Sequence, residues 1–99
     1  MKHVVTHPEA EAELEATAKY YEQRRSGLGR QFLDEFEAAL GRLLDNPQQY
    51  AIEISEIRAC PLHRFPCTIY YVEFEDRIWL AAIAHQHRRP GYWMTRRPD

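Results

Sequence analysis

Cysteine is scarce in this chain. Two occur in 99 residues, Cys60 and Cys67, too few for the disulfide framework on which small secreted domains rely. No C-x-x-C pair exists, and without a secretory context both thiols are expected to be free. Long apolar runs are missing too. The longest, "IWLAAIA" from Ile78 to Ala84, falls far short of the roughly 20 residues of a membrane span. The opening "MKHVVTHPEAEAELEA" turns acidic before any apolar stretch develops, which argues against a signal peptide. Neither an internal repeat nor a low-complexity stretch is present, and 99 residues leave no length for a second domain. These absences imply one cytoplasmic domain, residues 1–99, with no membrane partner. An apolar share of 44% is too high for a disordered chain.

Charge is distributed unevenly. The chain nets −2, yet its last fifteen residues, "HQHRRPGYWMTRRPD", hold four Arg against one Asp, a balance of +3. Residues 1–84 hold nine Lys/Arg against fourteen Asp/Glu, a balance of −5. A basic, aromatic end on an acidic domain suggests that this end meets something anionic.

Periodicity outlines the elements. "KHVVTH" is short and β-branched and reads as an opening strand. Thr6 or His7 can then cap a helix with Pro8 in its first turn, and Glu9 is placed for a capping box with Thr6. Glu9, Glu11 and Glu13 suit the positive end of the helix dipole. Ala10, Leu14, Ala18 and Tyr21 recur at helical spacing, and Gly27 can supply a left-handed stop, giving a helix over about residues 8–25. A second helix carries Leu28, Phe32, Phe36, Ala39, Leu40, Leu43 and Leu44 on one stripe and ends at "DNPQQ". So short a connector predicts an antiparallel hairpin. "AIEISEIRAC" alternates weakly, whereas "FPCTIYYVEF" and "RIWLAAIAH" are apolar on both faces and predict central strands joined by a turn at Glu73–Asp76. The expected fold is α+β: an N-terminal strand, then the helical hairpin packed on one face of an antiparallel β-sheet, in the order β-α-α-β-β-β. Trp79, Phe32, Phe36 and Tyr71 are expected in the core.

The order and spacing of several pieces resemble the RelE/ParE superfamily of type II toxins. They are the Pro-terminated hairpin "LLDNP", Arg58 on the next strand, "FPCTIYYV", "LAAIAH", and the tail "HQHRRPGYW" with His85, Arg88, Arg89, Pro90, Tyr92 and Trp93. The resemblance implies the fold just read and a cognate antitoxin, in a hetero-oligomer with the toxin. It leaves two targets. RelE-like members cut messenger RNA on the ribosome; ParE-like members, the plasmid-stabilisation branch, inhibit growth by poisoning DNA gyrase and catalyse no known reaction.

Cutting RNA through its 2′-OH requires a base, cations for the developing phosphorane and an acid for the leaving oxygen. Arg58, Arg64, His87 and Arg88 are the candidates for charge stabilisation or proton transfer, and Tyr92 for stacking on a base. Three features weigh against that chemistry. The "R-x-x-Y" pattern of such ribonucleases meets Thr68, not arginine, before Tyr71. Their lysine-rich stretch is replaced by "YAIEISEI", which carries Glu53 and Glu56. A net charge of −2 is also poorly suited to docking on ribosomal RNA. The expectation is therefore a ParE-like, non-catalytic toxin acting on DNA gyrase. His85, Arg88, Arg89, Tyr92, Trp93, Arg96 and Arg97 are its candidate residues for binding target or antitoxin. The alternatives are a ribosome-dependent endoribonuclease and a non-toxic, antitoxin-binding relative. His63, His85 and His87 with Cys60 and Cys67 lack metal-site spacing, so no metal and no cofactor are expected.

Overall fold

The computed structural model describes residues 2–86, 88, 89 and 91–98. Strand β1 (His3–Thr6) leads into helices α1 (Pro8–Arg24) and α2 (Leu28–Asp45), then strands β2 (Ile52–Ile54), β3 (Ile57–Pro61), β4 (Cys67–Glu73) and β5 (Arg77–His85). The strands form one sheet in the order β1-β5-β4-β3-β2. This is the expected α+β architecture, with β4 and β5 central, and with two differences. β1 pairs with β5 in parallel, so the sheet is mixed. "AIEISEIRAC" forms two strands rather than one, because Ser55 turns the chain at φ 55° between Ile54 and Ile57.

Local chemistry explains the helix ends. Thr6 stays in the ladder opposite Leu80, so no capping box forms. The His7 Nδ1 instead accepts the Glu9 N–H at 3.1 Å, and Pro8 occupies the first turn. Gly27 adopts the left-handed conformation (φ 86°) but serves as the N-cap of α2. There the Glu22 carboxylate substitutes for a side-chain cap, accepting the Gly27 N–H at 3.0 Å and the Gly29 N–H at 3.0 Å.

The hairpin buries Ala10, Tyr21, Phe32, Phe36, Ala39 and Leu43 against one face of the sheet. The sheet answers with Cys60, Cys67, Ile69, Tyr71, Ile78, Leu80 and Ile83. The Tyr71 hydroxyl is satisfied by donating to the Pro47 carbonyl at 2.6 Å. Both cysteines are free and buried in this layer, and burial pushes the Cys67 thiol up to about 11.

One irregularity governs what the other face presents. Tyr70 pairs with Ala82 and Tyr71 with Leu80, leaving Ala81 as an extra residue in β5. The bulge breaks strict alternation, so Ile78, Leu80 and Ile83 face the helices while Trp79, Ala81, Ala82 and Ala84 face away. That second face is the one the tail covers.

Candidate functional site

Beyond β5, residues 91–95 form turns, and Gly91 takes φ 75°. Trp93 stacks on Tyr70 of β4 with ring centroids 4.3 Å apart and planes 27° apart. It is 4% exposed and packs with Ala82 and Ala84. Alanine on β5 leaves the depth that the indole fills, so the bulge and the tryptophan are one arrangement. The open side of the sheet is closed by the chain's own tail.

Arg96 fastens that tail to α1. Its guanidinium donates to both Glu13 oxygens, at 3.1 and 2.7 Å, and to the carbonyl of the bulged Ala81 at 2.9 Å, with Glu9 at 3.2 Å. Glu13 also accepts the Ile83 N–H at 3.0 Å. β1 pairs only as far as Leu80. Beyond it, two side chains satisfy backbone groups of β5 that a longer β1 would otherwise meet. The Arg96 and Glu13 side chains are 9% and 11% exposed, so the pair is largely shielded from water. Burial works against the charge on Arg96, but Glu13 outweighs it and the arginine is held more firmly protonated than usual.

Tyr92 lies between two guanidiniums, with Arg88 3.9 Å and Arg96 5.2 Å from its ring centroid. Its hydroxyl is buried and makes no hydrogen bond of good geometry among the described residues. Burial first, and the nearby Glu13 carboxylate second, push its pKa well above the ordinary tyrosine range. A phenol so held is a poor proton donor or acceptor near neutral pH, and the Arg88 guanidinium already occupies its ring.

Beside the Arg96 anchor runs a groove between α1 and the end of β5. A cavity of about 360 Å³ is lined by Ala16, Thr17, Tyr20, His85 and Arg88. A second, of about 280 Å³, shares Ala16, Thr17, His85 and Arg88 and adds Ala12, Glu13 and Ile83. Tyr20 is 48% exposed. It packs edge-on against the buried Tyr21 at 5.3 Å, and its hydroxyl accepts from Arg24 at 3.0 Å.

The residues singled out for RNA cleavage are not brought together. Arg58 pairs across the ladder with Tyr71, on the helix side of the sheet. It donates to the Tyr50 carbonyl at 2.7 Å. Arg64, in the β3–β4 loop, donates to the Gln31 side chain at 3.0 Å. Arg88 and Tyr92 form a pair of their own at the tail. His87 lies outside the described residues. Of the tail cations, Arg88 and Arg89 are exposed. Arg97 is also exposed and donates to the Met94 and Arg96 carbonyls, while Arg96 is engaged inside the fold. Among the described residues, no three His, Cys, Asp or Glu side chains gather as metal ligands, and no helix is long and apolar enough to cross a membrane.

Glu13, Tyr20 and Arg24 had no place in the sequence reading of the site. Glu13 alone left a trace. It sits three residues after Ala10 and beside Leu14, a carboxylate within the apolar stripe of α1.

Compared with known proteins, residues 4–90 match the family model described as ParE toxin of type II toxin–antitoxin system, parDE. No curated protein matches. Among solved structures, the chromosomal ParDE toxin–antitoxin system from P. aeruginosa is similar in fold, with a TM-score of 0.70 and 19% identity. The likeness covers 86% of this chain and 96% of that one. The family match stops at residue 90, short of Tyr92, Trp93 and Arg96.

Proposed function

We propose that this chain, which belongs to the ParE toxin family of type II toxin–antitoxin systems, arrests growth by binding DNA gyrase and is held inactive by a cognate antitoxin. The observation that carries the choice of gyrase over messenger RNA is the dispersal of the cleavage candidates. Arg58 and Arg64 are engaged on the helix side, and the Tyr92 hydroxyl is buried behind Arg88 on the other. Thr68 supplies no charge where such a ribonuclease has arginine. A binding toxin needs no such constellation. It needs a rigid surface with cations, and Arg88, Arg89 and Arg97 offer one on a tail fixed by Trp93 and Arg96. Both target and antitoxin are met in the cytoplasm.

Two assays on the partner-free protein test this reading: supercoiling of relaxed plasmid by gyrase, and translation with primer-extension mapping of the message. Loss of supercoiling with intact message is the expected result. Codon-positioned cuts with gyrase unaffected would overturn it in favour of RNA cleavage. Neither effect from a folded sample would leave a non-toxic, antitoxin-binding relative.

A further inference from the structure

The net charge of −2 hides a separation of charge along the molecule. Three stretches distant in sequence meet at one end of the fold: the turn between α1 and α2, the β3–β4 loop, and the residues just past β5. Tyr21 and Phe65 pack with ring centroids 4.8 Å apart, and Arg64 donates to the Gln31 side chain at 3.0 Å. The Gln86 N–H donates to the Pro66 carbonyl at 2.8 Å. Residues 19–31, 62–66 and 85–89 together hold seven Lys/Arg against one acid, a balance of +6. The rest of the chain holds six against fourteen, a balance of −8. We propose that this basic end binds the phosphate backbone of duplex DNA, without regard to sequence, through Arg24, Arg25, Arg64, Arg88 and Arg89. This deepens the gyrase reading, on which it rests for the source of the DNA: the toxin's cations meet the DNA that gyrase holds.

Charge favours a polyanion. All five arginines are exposed, and among the described residues none of them is paired with a carboxylate. Arg30, by contrast, pairs with Asp34. The one acid of the three stretches, Glu22, is held by the Gly27 and Gly29 N–H groups, where it also closes the N terminus of α2 to any other anion. Glu73, Glu75 and Asp76 gather at the far end of β4, whose seven residues span about 20 Å. At physiological salt, charge is screened over about 8 Å, so those acids do not cancel a phosphate contact made here. Stacking then decides between a duplex and a single strand. A single strand is held by bases stacked on bare aromatic rings. At this end the rings already carry guanidiniums. Arg24 lies 5.4 Å from the Tyr20 ring centroid, Arg64 lies 5.4 Å from that of the buried Phe65, and Arg88 lies 3.9 Å from that of Tyr92. Arg24 also donates to the Tyr20 hydroxyl, as Arg64 does to Gln31. Both partners are neutral, so the positive charge is undiminished, and each guanidinium has further N–H donors for a phosphate. Cations on fixed supports, with their rings covered, suit a row of phosphates rather than bases.

Fluorescence anisotropy of a labelled DNA duplex, with the full partner-free chain and no gyrase, tests this directly. Five phosphate contacts predict a dissociation constant of about 10⁻⁶ M at about 50 mM salt, weakening about 100-fold by about 150 mM. Arg25→Gln and Arg64→Gln change positions that the gyrase reading does not use. Each is expected to weaken binding about tenfold at the lower salt and to reduce the slope of log affinity against log salt by about 1, with an unchanged melting temperature. Arg77→Gln, beside Asp76 at the opposite end, should leave affinity and slope as they are. Absence of duplex binding by the wild-type chain at the lower salt would overturn the proposal. So would wild-type affinity in Arg25→Gln and Arg64→Gln, or an equal loss in Arg77→Gln. Tighter binding of a single-stranded RNA of the same length would also overturn it and assign this end to RNA. The supercoiling assay keeps the two readings apart. DNA binding without inhibition of gyrase removes the gyrase reading and leaves the DNA contact standing; inhibition without DNA binding does the reverse.

Discussion

Glu13→Ala isolates the buried anchor of the tail, and its cost can be worked from the contacts. The substitution strips the Arg96 guanidinium of two donated bonds and leaves the Ile83 N–H without an acceptor. Removing one partner of a buried ion pair costs about 3–5 kcal/mol when the remaining charge stays buried. The orphaned N–H adds about 1 kcal/mol or more. Two features reduce the sum. Glu9 remains 3.2 Å from Arg96 on a side chain that is 67% exposed, and Arg96 lies near the chain end, where the tail can swing towards water. The expected net loss is about 3 kcal/mol, or roughly 12–24 °C in melting temperature for a domain of this size. Arg96→Ala should cost less, about 2 kcal/mol, because Glu13 keeps its bond to Ile83. The double mutant should fall short of additivity by about 1–2 kcal/mol. Asp34→Ala provides the contrast. Its pair with Arg30 has side chains 57% and 73% exposed, so the change should stay within about 0.5 kcal/mol. Urea unfolding followed by tryptophan fluorescence reads all four, since Trp79 and Trp93 both lie on the tail-covered face. A loss below about 1 kcal/mol for Glu13→Ala, or strict additivity with Arg96→Ala, would refute the anchor.

Trp93→Ala should destabilise by about 3–4 kcal/mol, because it removes the stack on Tyr70 and uncovers Ala82 and Ala84; a urea midpoint shift at unchanged slope checks it. Alkaline pH should destabilise the fold through buried acids that resist ionising. Cys67 is raised from 9.0 to about 11 and Tyr71 from 10.0 to about 12. Each group favours its neutral form in the fold, so its contribution is complete below the unfolded value and is lost as pH climbs through the folded one. For Cys67 that loss amounts to about 3 kcal/mol between pH 9 and 11. Unfolding curves across that window, compared with those of Cys67→Ala, measure it.

The helical hairpin was legible because its stripes follow the helical period and its ends carry His7, Pro8 and Gly27. Strands β4 and β5 were legible as central, but their facing was not. "IWLAAIA" is apolar at every position, so no alternation reveals that Ala81 is a bulge or that Ala82 and Ile83 face opposite sides. The β2–β3 break was hidden for a related reason. Ser55 turns in a left-handed conformation that sequence associates with glycine or asparagine. The direction of β1 depends on where β5 returns, which local pattern does not encode. In the tail, Arg96 and Arg97 are adjacent and chemically identical. One is a half-buried anchor and the other an exposed cation, and only the position of Glu13 separates them.

The parallel pairing of β1 with β5 also has a temporal side. His3 meets Arg77 and Thr6 meets Leu80, 74 positions apart along the chain. At ribosomal rates of about 5–20 residues per second, the first strand waits about 4–15 s for its partner to be made. A prematurely released chain therefore lacks one edge of the sheet as well as the tail cover. The order of synthesis therefore leaves β1 without its ladder partner until β5 has been made.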